Sequence, residues 1–187
     1  MGCVAILGAT GTIGSTLARA LAGQGRRVLL LGRDGAKLAA LAADSGQPHA
    51  VVDACCSESV CAALAAAAGA HGPVTGLVNA VGSILLKPAH RTSDDEFREV
   101  LETNLLSAFA AVKGAATTMR EGGGSVVLFA SAAATVGLAN HEAIAAAKAG
   151  VAGVGGAGAG AHSAGQIRFN PISPGPVRPQ PTPPHLA

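Results

Sequence analysis

Three glycines at three-residue spacing, Gly8, Gly11 and Gly14 in GATGTIG, are residues whose arrangement could do chemistry. They follow an apolar run at residues 3–8 and open a segment with apolar residues at helical spacing. In a strand–turn–helix setting each glycine has a physical reason. Gly8 permits a tight turn, Gly11 lets a diphosphate approach the backbone, and Gly14 lets helix and strand pack closely. The helix start adds free N–H groups and the positive end of its dipole. Thr10, Gly11, Thr12, Ile13 and Gly14 therefore read as an anion cradle. The bland alternative is a structural turn in a chain with 26 glycines; the strand–turn–helix context favours a nucleotide loop.

A second apolar run ends in Gly32-Arg33 with no acid at its tip. An acid there would bond the adenosine ribose hydroxyls, whereas Arg33 suits a 2′-phosphate, which favours NADP(H) over NAD(H). The alternative is a solvated surface arginine. Asp53, at the end of a third run, suits the adenine amino group or a cap of the next helix.

These residues need elements to hold them. Short apolar runs at residues 3–8, 26–32, 49–53, 75–82, 124–131 and 167–175 alternate with helical patterns. The helices are expected at residues 12–25, 34–44 and 57–70. A longer one, capped within Thr92 to Glu96, reaches about Arg120, and another, capped by Asn140, runs through Lys148. Six alternations with short connections demand an α/β fold, a doubly wound parallel sheet of about six strands with helices on both faces. Such sheets bind ligands at the carboxyl ends of strands near the switch point. That brings residues 8–14, Gly32, Arg33, residues 79–82 and Ser131 to one crevice.

With these pieces in order, the chain resembles the short-chain dehydrogenase/reductase family. The matching motifs are GATGTIG, Asp53, NAVG with Asn79, Ala80 and Gly82, NLL from Asn104, Ser131, Lys148, and NPISPGPV with Pro174, Gly175 and Val177. The resemblance spans nearly the whole chain and implies a nicotinamide cofactor. It also implies a catalytic Asn, Ser, Tyr and Lys. Asn104 matches the asparagine that holds a water in a proton relay, and Ser131 the serine that positions the substrate oxygen. Lys148 matches the lysine that binds the nicotinamide ribose and lowers the tyrosine pKa.

The tyrosine position, four residues before Lys148, is Ile144, and the chain contains no tyrosine. A carbonyl reduced by hydride needs a proton. His141, one helical turn earlier, is a candidate donor because imidazole titrates near neutrality. The bland alternative is a polar residue of the first turn. Lys148 itself could donate or stabilise the oxyanion. Glu142 faces elsewhere on the helix. Pro179 stands where the family usually has threonine, and the family's substrate-covering segment is absent, which reads as a truncated product or an open site. The expected activity is oxidoreduction of a carbonyl/alcohol pair or polarised double bond of a small molecule. The alternative is a catalytically silent NADP(H)-binding sensor or partner subunit.

Composition narrows the rest. Nearly half the 187 residues are apolar and 13% are charged, which suits one dinucleotide-binding domain over residues 1–187 with a proline-rich extended tail at 171–187. Net charge is +2 without a basic cluster, so no nucleic-acid partner is expected. No apolar run approaches the roughly 20 residues of a membrane span. No signal peptide is visible, and a soluble cytoplasmic protein is expected. Cys3, Cys55, Cys56 and Cys61 form no CxxC pair and read as reduced thiols rather than a metal site. Six glycines in residues 150–160 cost about 6 kcal/mol relative to alanine, so that helix either packs closely or frays. The family's two long helices, one of which is this glycine-rich one, are where a homo-oligomer would form.

Overall fold

Six parallel strands form one sheet in the computed structural model of the protein, which describes residues 2–175. They are β1 (Cys3–Leu7), β2 (Arg27–Gly32), β3 (His49–Val51), β4 (Val74–Asn79), β5 (Gly124–Phe129) and β6 (Ile167–Ile172), in the spatial order β3-β2-β1-β4-β5-β6. The order reverses between β1 and β4, which makes the doubly wound switch point expected from the alternation. Ala5 pairs with Leu29 on one side and Leu77 on the other. A central strand covered on both faces needs a continuous apolar run, and Ala5, Ile6 and Leu7 are fully buried.

Helices α1 (Thr12–Gly23) and α2 (Gly35–Ser45) cover one face, where Ile6, Val28, Leu30 and Leu38 form a core. Helices α3 (Ser57–His71), α5 (Ser107–Thr118) and α6 (Glu142–His162) cover the other, around Leu31, Leu64, Leu77 and Leu128. No helix among the described residues is long and apolar enough to cross a membrane.

Three expectations need correction. The long helix expected to about Arg120 starts as read, with a reciprocal box in which Ser93 Oγ accepts from the Glu96 N–H and Glu96 accepts from the Ser93 N–H. It is not uniform, however: α4 (Asp94–Leu101) passes through a π-helical turn, Glu102–Leu106, before α5. Asn140 does not cap α6. It adopts a left-handed backbone, φ 62°, and its carbonyl accepts from the Lys87 N–H at 2.9 Å, so His141 is the residue that precedes the helix. The tail expected from Pro171 begins later, because Pro171 and Ile172 still pair with Leu128 and Phe129 in β6, an edge strand where proline is tolerated. Residues 176–187 of that tail lie outside the described residues.

The glycine-rich segment is helical to His162. Close packing explains half of it. A Cβ at Gly150 would meet Leu105 at 2.9 Å, at Gly155 Pro171 at 3.2 Å, and at Gly158 Phe169 at 3.3 Å. Gly153, Gly156 and Gly160 meet nothing within 4 Å. Changing these three together to alanine should stabilise the protein by about 1 kcal/mol each, read as a Tm rise of roughly 6–12 °C in a thermal melt. Gly150→Ala should lower Tm instead. A triple variant that melts no higher than the parent would contradict the propensity argument at these three positions.

Candidate functional site

A cleft of about 240 Å³ opens where β1, β2 and β4 end. Gly8, Thr10, Gly11, Arg33, Asp53 and Gly82 line it, with Ala80 and Val81. The glycine loop follows from backbone sterics. Gly8 has φ 76°, and a Cβ there would stand 2.9 Å from the Ala80 carbonyl carbon. A Cβ at Gly14 would overlap the Gly8 carbonyl oxygen and lie 2.9 Å from Ala9 Cα, so α1 can approach β1 only with glycine there. Gly11 differs: its nearest neighbour would be the Gly8 oxygen at 3.4 Å, leaving its bare side toward the cleft. Thr12 and Ile13 start α1, whose first N–H groups have no partner within the helix. A dinucleotide fits this cradle: the turn is held open by glycines, and free N–H groups point where an anion would lie.

At the β2 end, Arg33 lines the cleft beside Thr10. The next residue, Asp34, turns away. Its carboxylate accepts from the Lys37 backbone N–H at 3.0 Å and pairs with the Lys37 ammonium at 3.2 Å, capping α2. The Lys37 backbone bond, then the side chain, hold its carboxyl below the usual range. Asp53 does not cap α3; the residue preceding that helix is Cys56. Asp53 Oδ1 instead accepts from the Cys55 N–H at 2.9 Å, an Asx turn that fixes the carboxylate at the cleft wall.

Asn79 is buried and does not line the cleft. Its amide donates to Ser107 Oγ at 3.1 Å, and its oxygen accepts from the Val81 N–H at 3.1 Å. It shapes the wall through Val81.

Asn104, Lys148 and Gly82 meet behind this wall. A Cβ on Gly82 would stand 3.0 Å from Asn104 Oδ1 and 3.6 Å from Lys148 Nζ. The π-helical turn carries Asn104, and such turns re-aim side chains without breaking the helix. Asn104 makes three bonds to protein partners: Nδ2 donates to Ser83 Oγ and the Val100 carbonyl, and Oδ1 accepts from the Ser83 N–H. Lys148 Nζ donates to the Phe129 carbonyl at 2.8 Å, and burial pushes its pKa below the usual lysine range. Ser131, two residues past Phe129, accepts from the Ala133 N–H at 3.1 Å, which leaves its hydroxyl proton free to donate. Pro174 is held near Ser131 by a bond from the Ala132 N–H to its carbonyl, with Gly175 following it. Val177 and Pro179 lie outside the described residues.

Ile144 is 4% exposed, in an apolar cluster with Val100, Ala143 and Ala147 that Leu85 and Leu101 complete. His141 stands just outside α6 rather than in it, so helical spacing does not fix its direction; its Nδ1 lies 2.7 Å from the Ala139 carbonyl.

The sequence reading missed four contributors. Ser83 and Ser107 hold the two asparagines. Thr103 and Cys55 line the cleft opposite the glycine loop. Burial, then Asp53 and Glu102, push the Cys55 thiol pKa up, and it donates to the Glu102 carbonyl at 3.4 Å. Only Ser107, one helical turn after Asn104, carried a signal in its spacing.

Residues 8–183 match the family described as enoyl-(acyl carrier protein) reductase. The chain is 36% identical to a D-threitol dehydrogenase of Mycolicibacterium smegmatis over 155 residues, 80% of this chain and 60% of that protein. It is 36% identical over 138 residues, 72% of this chain and 60% of the other, to an inactive 2-(S)-hydroxypropyl-CoM dehydrogenase 2 of Xanthobacter autotrophicus. Among solved structures, an actinorhodin polyketide ketoreductase variant with NADPH superposes with a TM-score of 0.85 at 27% identity, over 93% of this chain and 70% of that one. The chain thus spans about 60% of the length of these curated relatives.

Proposed function

The chain belongs to the short-chain dehydrogenase/reductase family, and on that premise we propose that it is an NAD(P)H-dependent oxidoreductase acting on a carbonyl/alcohol pair or polarised double bond of a small molecule. The observation that carries this is the junction at Gly82, where the wall of the dinucleotide cleft touches both Asn104 and Lys148. A bound nicotinamide supplies hydride transfer; everything else is asked of the chain.

The residue roles follow from their surroundings. Backbone N–H groups of the first turn of α1, Thr12 to Gly14, hold the diphosphate. The Asp53 oxygen not used by Cys55 takes the adenine amino group. The Lys148 ammonium, already fixed by Phe129, bonds the nicotinamide ribose. Ser131 donates to the substrate oxygen. Asn104, its amide nitrogen tied to Ser83 and Val100, keeps one lone pair of Oδ1 for a relay water. His141 is the candidate proton donor: if Nδ1 donates to Ala139, Nε2 remains to carry the transferred proton. A polarised double bond makes a weaker demand on an acid than a carbonyl does, and a family described by enoyl reduction is consistent with that substrate type.

NADP(H) is favoured over NAD(H). Arg33 faces the cleft, and Asp34, the one nearby acid in sequence, is turned to Lys37. The similarity to a ketoreductase solved with NADPH supports the same choice. Arg33→Ser should weaken NADPH binding by about tenfold to a hundredfold, the worth of a charge-assisted bond, and leave NADH within about twofold. Equal loss for both cofactors would mean that Arg33 acts on the fold rather than on a 2′-phosphate.

A catalytically silent NADP(H)-binding protein is the second reading, and Ile144 is the observation that favours it. A reducing, cytoplasmic setting suits the free thiols of Cys3, Cys55, Cys56 and Cys61. A homo-oligomer through α5 and α6 would cover Leu106 and Phe109, which are 41% and 48% exposed.

A further inference from the structure

Past the Ser131 hydroxyl, two loops frame the mouth of the site. One leaves β4 and the other leaves β5, and they are clipped together by the Lys87 N–H to Asn140 carbonyl bond at 2.9 Å. Leu85 turns inward onto Ala143 and Ile144, so its neighbours in the extended loop point out. Ile84 is 69% exposed and Leu86 57%. On the facing loop Val136 is 55% and Leu138 44% exposed. Four large exposed apolar side chains thus stand on the two segments that the Lys87–Asn140 bond holds together.

The same segments offer few polar groups. Residues 83–86 and 132–140 contain no charged side chain. Ser83 Oγ accepts from Asn104, which leaves one hydroxyl proton to donate, and Thr135 Oγ1 donates to the Ala132 carbonyl. Lys87, the first cation beyond, is clamped by both oxygens of Glu96 at 2.7 Å. His90 and Arg91 lie on the next turn, Ala89–Arg91, past the clip. Asn140 is the remaining side-chain amide. A polyhydroxylated substrate would lose water from several hydroxyls and find almost no partners for them, which is the penalty that discriminates most strongly between substrates. A carboxylate would find no cation among residues 83–86 and 132–140.

We propose that the substrate is an uncharged apolar carbonyl or alcohol, an alkyl or alicyclic chain seated against Ile84, Leu86, Val136 and Leu138 with its oxygen on Ser131. This rests on the oxidoreductase reading and narrows it away from polyols, although a similar protein is a D-threitol dehydrogenase.

The test reads binding, so it does not depend on turnover. The chain is first titrated with NADPH by the cofactor's fluorescence. At saturation with NADP+, which cannot reduce a ketone, 2-butanone, 2-hexanone, 2-octanone, erythrulose and 4-oxopentanoate are each titrated calorimetrically. The expected result is tightening by about twofold to fourfold per added methylene in the alkanone series, with erythrulose and 4-oxopentanoate weaker than 2-butanone. The double substitution Leu86→Ser with Leu138→Ser should flatten the series and leave the NADPH dissociation constant unchanged. A flat series in the parent, or erythrulose binding more tightly than 2-butanone, overturns the substrate class while the cofactor reading stands. A slope that survives the double substitution overturns the assignment of the chain to this mouth. Failure to bind NADPH in the first titration overturns the oxidoreductase reading and this inference with it.

Discussion

Ile144→Tyr should raise carbonyl reduction by about 10²–10⁴-fold, the usual contribution of a placed general acid. Position 144 stands four residues before Lys148, whose ammonium is fixed on Phe129 and whose pKa is lowered by burial. A phenol introduced there lies one turn from that ammonium. The change is not free of cost. Ile144 is 4% exposed against Val100, Leu85 and Leu101, and a ring in that space overpacks it by about 1–3 kcal/mol. The variant should therefore melt lower while turning over faster, a combination that a general loosening of the site does not give. Single-turnover oxidation of NADPH with an alkanone reads the rate, and a thermal melt reads the cost. In the parent background, His141→Ala should slow the residual reaction. If Ile144→Tyr leaves the rate unchanged while NADPH still binds, the missing acid is not what limits the chain, and the silent-binder reading gains.

Gly14→Val and Gly11→Ala should separate a nucleotide cradle from a mere turn. At Gly14 any side chain meets backbone, the Gly8 carbonyl and Ala9 Cα, neither of which can swing aside. Pushing α1 from β1 opens the core around Ala18 and Ile6, so we expect a loss of about 2–4 kcal/mol and about a hundredfold weaker NADPH binding. At Gly11 the added methyl enters the cleft and touches little protein. Gly11→Ala should therefore keep the parent's Tm within about 2 °C yet weaken NADPH by about tenfold or more, because it stands where the diphosphate must approach the backbone. Parental affinity in Gly11→Ala would mean the glycines serve only the turn.

The sheet was legible because a central parallel strand must be apolar on both faces, and the runs at β1, β2 and β4 are. The glycine loop was legible because its residues act locally, through backbone space. Three features were not. The π-helical turn at Glu102–Leu106 leaves no mark in apolar periodicity, yet it carries Asn104 to Ser83. The left-handed Asn140 read as a cap because asparagine suits both positions; its Lys87 partner, 53 residues earlier, decided between them. Asp34 read as an ordinary helix start, and only its bonds to Lys37 show that it is turned away from the cleft. In each case the deciding contact is either distant in sequence or a matter of side-chain direction. The glycines of α6 divide the same way: Gly150, Gly155 and Gly158 are explained by Leu105, Pro171 and Phe169, which no local pattern announces.

The most direct test of the central claim is a titration of the purified chain with NADPH and, in parallel, NADH, followed by the reduced nicotinamide's own fluorescence. The chain has no tryptophan or tyrosine, so protein emission does not interfere. The account predicts saturable binding of NADPH, at least about tenfold tighter than NADH through one charge-assisted contact at Arg33. Absence of binding by either cofactor would contradict it, leaving a family fold that has kept its glycine loop without its ligand.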